Sequence, residues 1–261
     1  MRSVERIALV AHGKPETLGD AVKRVEEIAR AAGVEVVEGD SEADLLVVLG
    51  GDGTMLRALK QSLDNGVPVF GINFGRVGFL TAVDADELEV GLARALAGDF
   101  VVVELPTLEA DVGGETHTAV NDCVATSSTL GRMVTVGWSV GVEDLGTLSC
   151  DGVIAATPSG STAYNLSNGG PVLVWGLDAL VATFIAPHSL HARPLVVPRS
   201  SDLVVQNKTS DVALTVLADG HEVGELHADE HVTVRLGPKR TRLATLPEVT
   251  FFTRYRDTFA S

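Results

Sequence analysis

The segment GGDGT, residues 50–54, contains the residue types best suited to chemistry on a phosphate. It directly follows ADLLVVL, residues 43–49, an apolar run that predicts a parallel strand covered on both faces. In open α/β sheets ligands bind beyond the carboxyl ends of the strands, and glycines there let backbone N–H groups approach a phosphate. A carboxylate among such glycines needs a further reason, because it repels phosphate. Asp52 is therefore predicted to take a proton from an attacking hydroxyl, to hold Mg²⁺, or both.

An alternative interpretation of this segment is a glycine-rich turn between a strand and a helix, in which Asp52 is only an N-cap. The residues that follow, 55–63, have a helical pattern. In both interpretations the positive N-terminus of that helix faces the loop.

A second candidate segment begins with Asp151 and Gly152 and continues through TPSGSTAY, residues 157–164, to SNGGP, residues 167–171. Its hydroxyl groups supply neutral donors near one point, and Tyr164 offers a face for stacking. This combination favours a site for a dinucleotide. The alternative is a polar loop between strands, which explains the glycines and prolines but not so many hydroxyl groups beside a tyrosine.

The segment GINFGRVGFLT, residues 71–81, follows another predicted strand and is expected at the same edge of the sheet as GGDGT. Asn73 and Phe74 are candidate contacts for an adenine. The alternative is a glycine-rich connector that buries Phe79 and Leu80 in the core.

Two weaker signals lie further along the chain. Asn121 and Asp122 place an amide beside a carboxylate, which can take the two hydroxyls of a ribose, although Asn-Asp is also a common turn. His188 and His191 lack the partners of a zinc site, so structural hydrogen bonding is their expected role.

Alternating strand and helix patterns predict a Rossmann-like α/β domain over residues 1–100. After about residue 100 the pattern changes to many short strands, which predicts an all-β sandwich domain over residues 101–244. The tail, about 245–261, includes a helix-compatible stretch that can pack back on the first domain. The predicted strands are 6–11, 34–37, 43–49, 67–72, 100–104, 107–112, 116–120, 133–142, 153–156, 180–185, 202–206, 212–217 and 231–236. The predicted helices are 18–32, 55–63, 84–97 with Asp84 as N-cap, 161–167 and 248–259.

Composition narrows the class of protein. The formal net charge of −15 disfavours a nucleic-acid partner. No apolar run reaches the roughly 18 residues that span a bilayer, so no membrane partner is expected. The first apolar run, of about five residues, is too short for a signal peptide, which predicts a cytoplasmic location. The two cysteines, Cys123 and Cys150, are expected to be buried free thiols.

Taken together and in this order, these segments resemble the NAD kinase family. GGDGT alone is shared with diacylglycerol-type lipid kinases, but GINFGRVGFLT, TPSGSTAYNLSNGGPV and PHSLHARPLVVP are more specific. The resemblance implies an N-terminal α/β domain and a C-terminal β-sandwich domain. It also implies phosphorylation of the 2′-hydroxyl of the adenosine ribose of NAD, with ATP, polyphosphate or another donor and Mg²⁺. A homodimer or homotetramer is implied as well.

The resemblance also implies residue roles. Asp52 is the general base, which also helps to hold the metal and phosphates. Asp151 lies near the nicotinamide end of NAD. The remaining implied substrate-binding residues are Gly51, Gly53, Thr54, Asn73, Phe74, Asn121, Asp122, Arg132, Thr162, Ala163, Tyr164, Asn165, Leu166, Ser167, Ala186 and His221.

This sequence departs from the family pattern at three positions. Asp122 replaces the usual Glu, which shortens the reach of the carboxylate by one methylene, so the ribose contact is expected to survive directly or through water. Ser159 replaces a usual Thr and keeps the hydroxyl. Ser149 stands where some members have a basic residue, and Arg132 is the candidate substitute for neutralising the substrate pyrophosphate.

Two alternative functions remain open at this point. One is a lipid kinase of the diacylglycerol type, which shares GGDGT and the two-domain plan but has no reason to carry TPSGSTAYNLSNGGP. The other is a non-catalytic NAD-binding regulator, against which the intact Asp52 and the intact glycines argue.

Overall fold

The protein consists of two units that interleave along the chain. Unit 1 comprises Met1–Leu105 and Thr241–Ser261, and unit 2 comprises Pro106–Arg240. The structure, a computed structural model, describes residues 4–13, 15–40, 42–75 and 78–260, with only the backbone of residues 15–17. Arg76 and Val77, which belong to the predicted GINFGRVGFLT segment, lie outside the described residues.

The helices and strands have the following bounds. The strands are β1 Arg6–Ala11, β2 Glu35–Val37, β3 Leu45–Gly50, β4 Val69–Asn73, β5 Val83–Asp84, β6 Val101–Val112, β7 Glu115–Ala119, β8 Asp122–Ser127, β9 Val134–Val140, β10 Glu143–Cys150, β11 Gly152–Ala156, β12 Ala179–Ile185, β13 Leu195–Pro198, β14 Leu203–Asn207, β15 Leu214–Ala218, β16 His221–Leu226 and β17 His231–Thr245. The α-helices are α1 Pro15–Ala32, α2 Asp52–Gln61, α3 Leu88–Leu96, α4 Tyr164–Ser167 and α5 Phe251–Phe259, and short 3₁₀ helices cover Ala85–Glu87 and Gly160–Thr162.

Unit 1 is built on a parallel sheet in the order β2, β1, β3, β4 and the last residues of β17, with β5 also paired to β4. Every residue of β3 is buried, as expected for a parallel strand in the middle of a covered sheet. The core of this unit joins apolar side chains from the strands and from helices α1 and α3.

The register of the parallel strands positions the glycine-rich loops. Gly50, at the end of β3, lies opposite Asn73, at the end of β4. Asn73 in turn lies opposite Asp84 of β5. The segments that follow β3 and β4 therefore leave the sheet at the same edge, as the sequence predicts.

Unit 2 is an antiparallel β-sandwich. One sheet has the order β13, β12, β11, β8, β15 and β16. The other contains β10, β9, β14 and the first part of β17, together with β6 and β7. Buried side chains of both sheets, such as Ala125, Leu180, Val136 and Leu203, belong to one core cluster. The predicted fold class, a Rossmann-like α/β domain followed by an all-β sandwich, is confirmed.

Several predicted elements differ from those observed. Residues 100–104 and 107–112, predicted as two separate strands, form the single strand β6. Pro106 lies inside this strand. Proline lacks a backbone donor, but its fixed φ is compatible with an extended backbone, so the strand continues through it. Strands β5, β8, β10, β13 and β16 were not predicted. Two of them, β10 (EDLGTLSC) and β16 (HEVGEL), are largely polar and partly exposed, so they lack the apolar signal on which the prediction relied.

Among the residues that the structure describes, none of the helices combines the length and the hydrophobicity that crossing a lipid bilayer would require.

Because Gly71 of β4 has no side chain, helix α2 and the backbone of Thr81 can approach this strand closely. A Cβ at this position would overlap the sulfur of Met55 and lie 3.1 Å from the backbone Cα of Thr81. Met55 belongs to the helix that begins at Asp52, so this contact sets the distance between that helix and the sheet.

We expect Gly71→Ala to lower the free energy of unfolding by about 1–3 kcal/mol, because the added methyl overpacks a filled site. Denaturant unfolding followed by circular dichroism measures the change. Gly19→Ala, in helix α1, is the matched control, since among the described residues no atom beyond its own stretch of helix lies within 4 Å of the added Cβ. That variant is expected to gain about 0.5–1 kcal/mol from helix propensity. Equal stability of the Gly71 variant and the wild type would contradict the packing argument.

Candidate active site

The Asp52 carboxylate is held by backbone donors from the loop after β4. Oδ2 accepts the Phe79 N–H at 3.0 Å and Oδ1 accepts the Leu80 N–H at 2.8 Å. The N-cap of α2 is Gly51, and the helix has no side-chain cap. The alternative interpretation of Asp52 as a helix cap is therefore wrong. Each oxygen accepts one hydrogen bond from the described residues, and a carboxylate oxygen has two lone pairs, so a further acceptor position is left on each.

The loop around Asp52 is shaped by close approach of two backbone segments. A Cβ on Gly75 would lie 3.1 Å from the Cα of Gly51, and the Phe74 N–H donates to the Gly50 carbonyl at 3.0 Å. Gly53 is exposed, and no atom of the described residues beyond its own stretch of helix lies within 4 Å of where its Cβ would be. The Thr54 and Met55 N–H groups donate to the Gly51 carbonyl, so the N–H groups before them, at the very start of α2, lack a helical acceptor and carry the positive end of the helix dipole. This end of α2 therefore suits a phosphate.

The neighbouring Asn73 is occupied by structural hydrogen bonds. Its Nδ2 donates to Asp84 Oδ1 at 3.0 Å, and its Oδ1 accepts the Gly75 N–H at 2.9 Å. Phe74 is half-buried and packs on the core of unit 1, and Thr54 is buried. Phe79 and Leu80 are buried, as the connector alternative for this segment expects.

In unit 2, the Asn121-Asp122 pair is fixed by a third residue, Asp219. The Asp219 carboxylate accepts the Val120 N–H at 2.9 Å and the Asn121 N–H at 2.7 Å. The Asn121 Oδ1 atom is buried and has no hydrogen-bond partner among the described residues. The Asp122 side chain is 7% exposed at the start of β8. A buried amide oxygen without a partner is the expected condition of a ligand contact.

The two carboxylates of this site influence each other. Burial raises the pKa of Asp122 to about 7, and the negative charge of Asp219 acts in the same direction. Burial also raises the pKa of the neighbouring Cys123 thiol to about 12, so this cysteine stays protonated. Cys123 and Cys150 are both free and buried.

The hydroxyl-rich segment acts mainly as a brace for Asn121. Thr157 Oγ1 donates to the Val120 carbonyl at 2.7 Å, and Ser159 Oγ donates to the same carbonyl at 3.1 Å. Ser161 Oγ donates to the Pro158 carbonyl at 2.7 Å. The interpretation of these three hydroxyls as donors to a ligand is wrong, because buried hydroxyls satisfy nearby carbonyls of the protein first.

Gly160 makes the same brace possible from the backbone side. A Cβ at this position would lie 2.8 Å from the Cα of Asn121 and would overlap its carbonyl group. The loop and the Asn121 backbone therefore touch directly. This contact explains the need for glycine within the hydroxyl run.

The short helix α4 presents some side chains outward and anchors itself with one. Tyr164 is 46% exposed, Ser167 is exposed, and Thr162, Ala163 and Leu166 are half-buried. The Asn165 side chain is fully buried, and its Nδ2 donates to the Ser161 carbonyl at 2.9 Å while its Oδ1 accepts from the Thr183 hydroxyl at 2.7 Å. The Asn165 side chain thus holds α4 on the sheet.

Four other candidate residues of unit 2 are exposed. Arg132 forms an ion pair with Asp211, with 2.7 Å between Nη2 and Oδ2. The His221 Nδ1 atom lies 3.0 Å from the Asp219 carbonyl oxygen. Ala186 has a positive φ of 43°, and the Asp151 carbonyl accepts the Ser127 N–H. The described residues contain no group of three His, Cys, Asp or Glu side chains that could hold a metal ion.

Two residues that matter to this geometry were not predicted. Asp219 has a positive φ of 50°, and the pair Asp219-Gly220 is a turn signal that could have drawn attention to it. Arg254 of α5 donates from Nη1 to the Gly78 carbonyl at 2.8 Å. A single arginine on a terminal helix carries no sequence signal of such a contact.

The raised pKa of Asp122 makes stability depend on pH. Between the ordinary pKa of 3.8 and the folded value of about 7, the folded protein holds a proton that the unfolded chain releases. The free energy of unfolding therefore falls as pH rises through this window. Asp122→Asn removes the effect and should make the slope shallower by up to about 1.4 kcal/mol per pH unit.

Denaturant unfolding at intervals between pH 4 and pH 8 measures that slope. Asp20→Asn, at an exposed position of α1, is the control and should leave the slope unchanged. A slope in the Asp122 variant equal to that of the wild type would mean that this carboxyl does not titrate in the window.

Both parts of the chain match a described family. Residues 9–100 match the family described as the ATP-NAD kinase N-terminal domain, and residues 120–246 match the ATP-NAD kinase C-terminal domain. A protein named NAD kinase from Heliobacterium modesticaldum is 39% identical over 245 residues, which cover 92% of this chain and 87% of that protein. Another, from Symbiobacterium thermophilum, is 41% identical over 216 residues, which cover 81% and 76% respectively.

Solved structures are also similar. The crystal structure of an NAD kinase from Archaeoglobus fulgidus in complex with ATP has a TM-score of 0.79 and 29% identity, covering 98% of this chain and 97% of that chain. Yeast NADH kinase complexed with NADH has a TM-score of 0.83, covering 99% and 88%, but at 20% identity this is a likeness of fold alone.

Proposed function

The chain belongs to the NAD kinase family and is an NAD kinase, and we propose that its Asp52 carboxylate receives the 2′-hydroxyl of the adenosine ribose of NAD. The observation that carries the proposal is the fixed direction of this carboxylate beside the N-terminus of α2. Its remaining lone pairs can accept the hydroxyl proton. Membership of this family argues against the two alternatives from the sequence, a lipid kinase and a non-catalytic NAD-binding regulator.

The donor's terminal phosphates are proposed to bind at the start of α2, at Gly51, Gly53 and Thr54. Open backbone at Gly53 and the positive end of α2 support this assignment. Phosphoryl transfer depends chiefly on positioning and on neutralising charge. Because the transition state of phosphoryl transfer is loose, the ribose hydroxyl need not lose its proton early, and Asp52 acts largely by orienting this hydroxyl.

The residues fit a magnesium ion that is bound chiefly by the donor phosphates. The described residues offer no three-ligand cluster, and each Asp52 oxygen accepts one hydrogen bond from them, which leaves it a second lone pair. Mg²⁺ prefers such sites, with one or two carboxylates, phosphates and water. When bound, the ion would neutralise charge on the transferred phosphoryl group.

Asn121 and Asp122 are the proposed contacts of the ribose hydroxyls. The buried, unpartnered Oδ1 of Asn121 supports the first assignment, and the burial of Asp122 beside it supports the second. The exposed ring of Tyr164 is available for stacking. The other proposed substrate contacts are Asn73, Phe74, Arg132, Asp151, Thr162, Ala163, Leu166, Ser167, Ala186 and His221, and the buried Asn165 is proposed to act by holding α4 in place.

The donor, the cation, the location and the assembly are also proposals. ATP is one candidate donor and polyphosphate is another. The enzyme is proposed to work in the cytoplasm, which agrees with two free buried thiols, and as a homodimer or homotetramer on the basis of the family resemblance.

A coupled assay for NADP tests the reaction. Purified protein is given NAD with ATP or with polyphosphate, each with and without Mg²⁺. We expect NADP to form with at least one donor and only when the cation is present. An absence of NADP under all these conditions, with NAD still bound, would contradict the proposal.

Asp52→Asn should retain the fold and NAD binding but lower turnover by about 10²-fold or more, because the amide cannot accept the hydroxyl proton. Steady-state NADP formation measures turnover, and calorimetry measures NAD binding. The exposed acid Asp20 gives the control variant Asp20→Asn, which should keep full activity. Near-normal turnover in the Asp52 variant would remove this residue from the mechanism.

Asp122→Ala should raise the KM for NAD more than it lowers kcat, since the lost contact is expected to hold the ribose equally in the ground state and in the transition state. The same assay over a range of NAD concentrations separates the two constants. A fall in kcat with an unchanged KM would argue against ribose binding by Asp122.

A further inference from the structure

We infer that Arg254, on the C-terminal helix α5, is a positioning residue for phosphoryl transfer, because it fixes the turn that holds the Asp52 carboxylate. Arg254 Nη1 donates to the Gly78 carbonyl at 2.8 Å. The inference rests on the proposed role of Asp52. Arg254 itself is assigned no contact with substrate.

The contact is transmitted through one peptide group. The Gly78 carbonyl and the Phe79 N–H belong to the same rigid, planar peptide unit. When Arg254 holds the carbonyl oxygen, the N–H on the opposite side is held in the direction of Asp52 Oδ2, where it donates at 3.0 Å. A rotation of this peptide would break both hydrogen bonds together.

The conformation of the turn makes such an external restraint necessary. Gly78 has a φ of +70°, and a Cβ there would lie 2.8 Å from Thr81 Oγ1 and would overlap the Asn73 amide. Apart from Arg254, the Gly78 carbonyl accepts only a longer hydrogen bond of 3.1 Å from Thr81 Oγ1 among the hydrogen bonds of the described residues. Glycine has the widest choice of backbone conformations, so a second hydrogen-bond donor to the Gly78 carbonyl restricts the orientation of this peptide.

Helix α5 also holds the turn through aromatic packing. The ring of Phe79 lies 5.8 Å from that of Phe251 in an edge-to-face arrangement and 6.0 Å from that of Phe259. A capping box at Thr250 and Thr253 fixes the beginning of the helix. Helix α5, which carries Arg254, therefore packs on Phe79, and the N–H of Phe79 is the group that Arg254 orients.

The charge around Arg254 suits this role. Burial lowers the pKa of the guanidinium, while the negative charges of Asp84 and Asp52 favour its charged form. A charged donor makes a stronger hydrogen bond to a carbonyl than a neutral one does. The cation therefore lies near the Asp52 carboxylate but is bound to the turn that supports it.

Three variants test the inference. Arg254→Met should lower kcat by about 10-fold or more while the KM for NAD changes by less than about two-fold, because only the direction of the Asp52 carboxylate is altered. Arg254→Lys should recover part of the loss, since an ammonium can still donate to the carbonyl. Arg256→Met, whose arginine is paired with the adjacent Asp257 in solvent, is the control on the same helix and should keep full activity.

A double-mutant cycle distinguishes positioning from a general structural role. In the Asp52→Asn background, Arg254→Met should lower kcat by less than about two-fold further, because the group it positions is already lost. Equal losses in both backgrounds would overturn the inference. A folded Arg254→Met variant with wild-type kcat would overturn it as well.

Amide hydrogen exchange gives a readout that does not depend on activity. The Phe79 and Leu80 amides should exchange about 10-fold faster or more in Arg254→Met, as in Asp52→Asn, and at the wild-type rate in Arg256→Met. Unchanged exchange in Arg254→Met with normal NADP formation by the wild type would overturn the positioning inference alone. A wild-type protein that forms no NADP would instead overturn the proposed function.

Discussion

The direction of one carboxylate governs the chemistry that unit 1 can perform. A free aspartate at the start of a helix would turn to cap it, but the Asp52 side chain is bound by the N–H groups of Phe79 and Leu80 instead. The N-terminus of α2 consequently remains available to an anion. A negative side chain and a phosphate-binding loop can coexist only because these two amides fix where the negative charge lies.

The fold was largely predictable because its strongest elements have strong periodic patterns. The apolar strand β3 and the amphipathic helix α1 can be recognised from the sequence alone. The predicted fold class and the family resemblance are both confirmed. The strands that escaped prediction include β10 and β16, whose residues are partly exposed. Each is an edge strand that pairs in a hairpin with the strand just before it, β9 or β15, so this pairing positions it although its own residues carry little apolar pattern.

The candidate site was predictable in its residue types but not in its supports. Asp52 could be singled out by its glycine neighbours, whereas its partners lie 27 and 28 residues away and donate through the backbone, which has no sequence signature. The number of hydroxyl groups correctly drew attention to Thr157 and Ser159, but these hydroxyls donate to the Val120 carbonyl and not to a ligand. Composition cannot show which way a hydroxyl points. The substrate contacts remain predictions.

The order of the chain has a consequence for synthesis on the ribosome. The sheet of unit 1 is completed by Leu243 and Ala244 of β17, and helix α5 of the same unit follows β17 along the chain. Unit 2 lies entirely between the two parts of unit 1, so it can fold first. A nascent chain of about 240 residues would hold GGDGT without the helix that braces its aspartate. Competence for catalysis would then arise only after α5 has emerged from the ribosome.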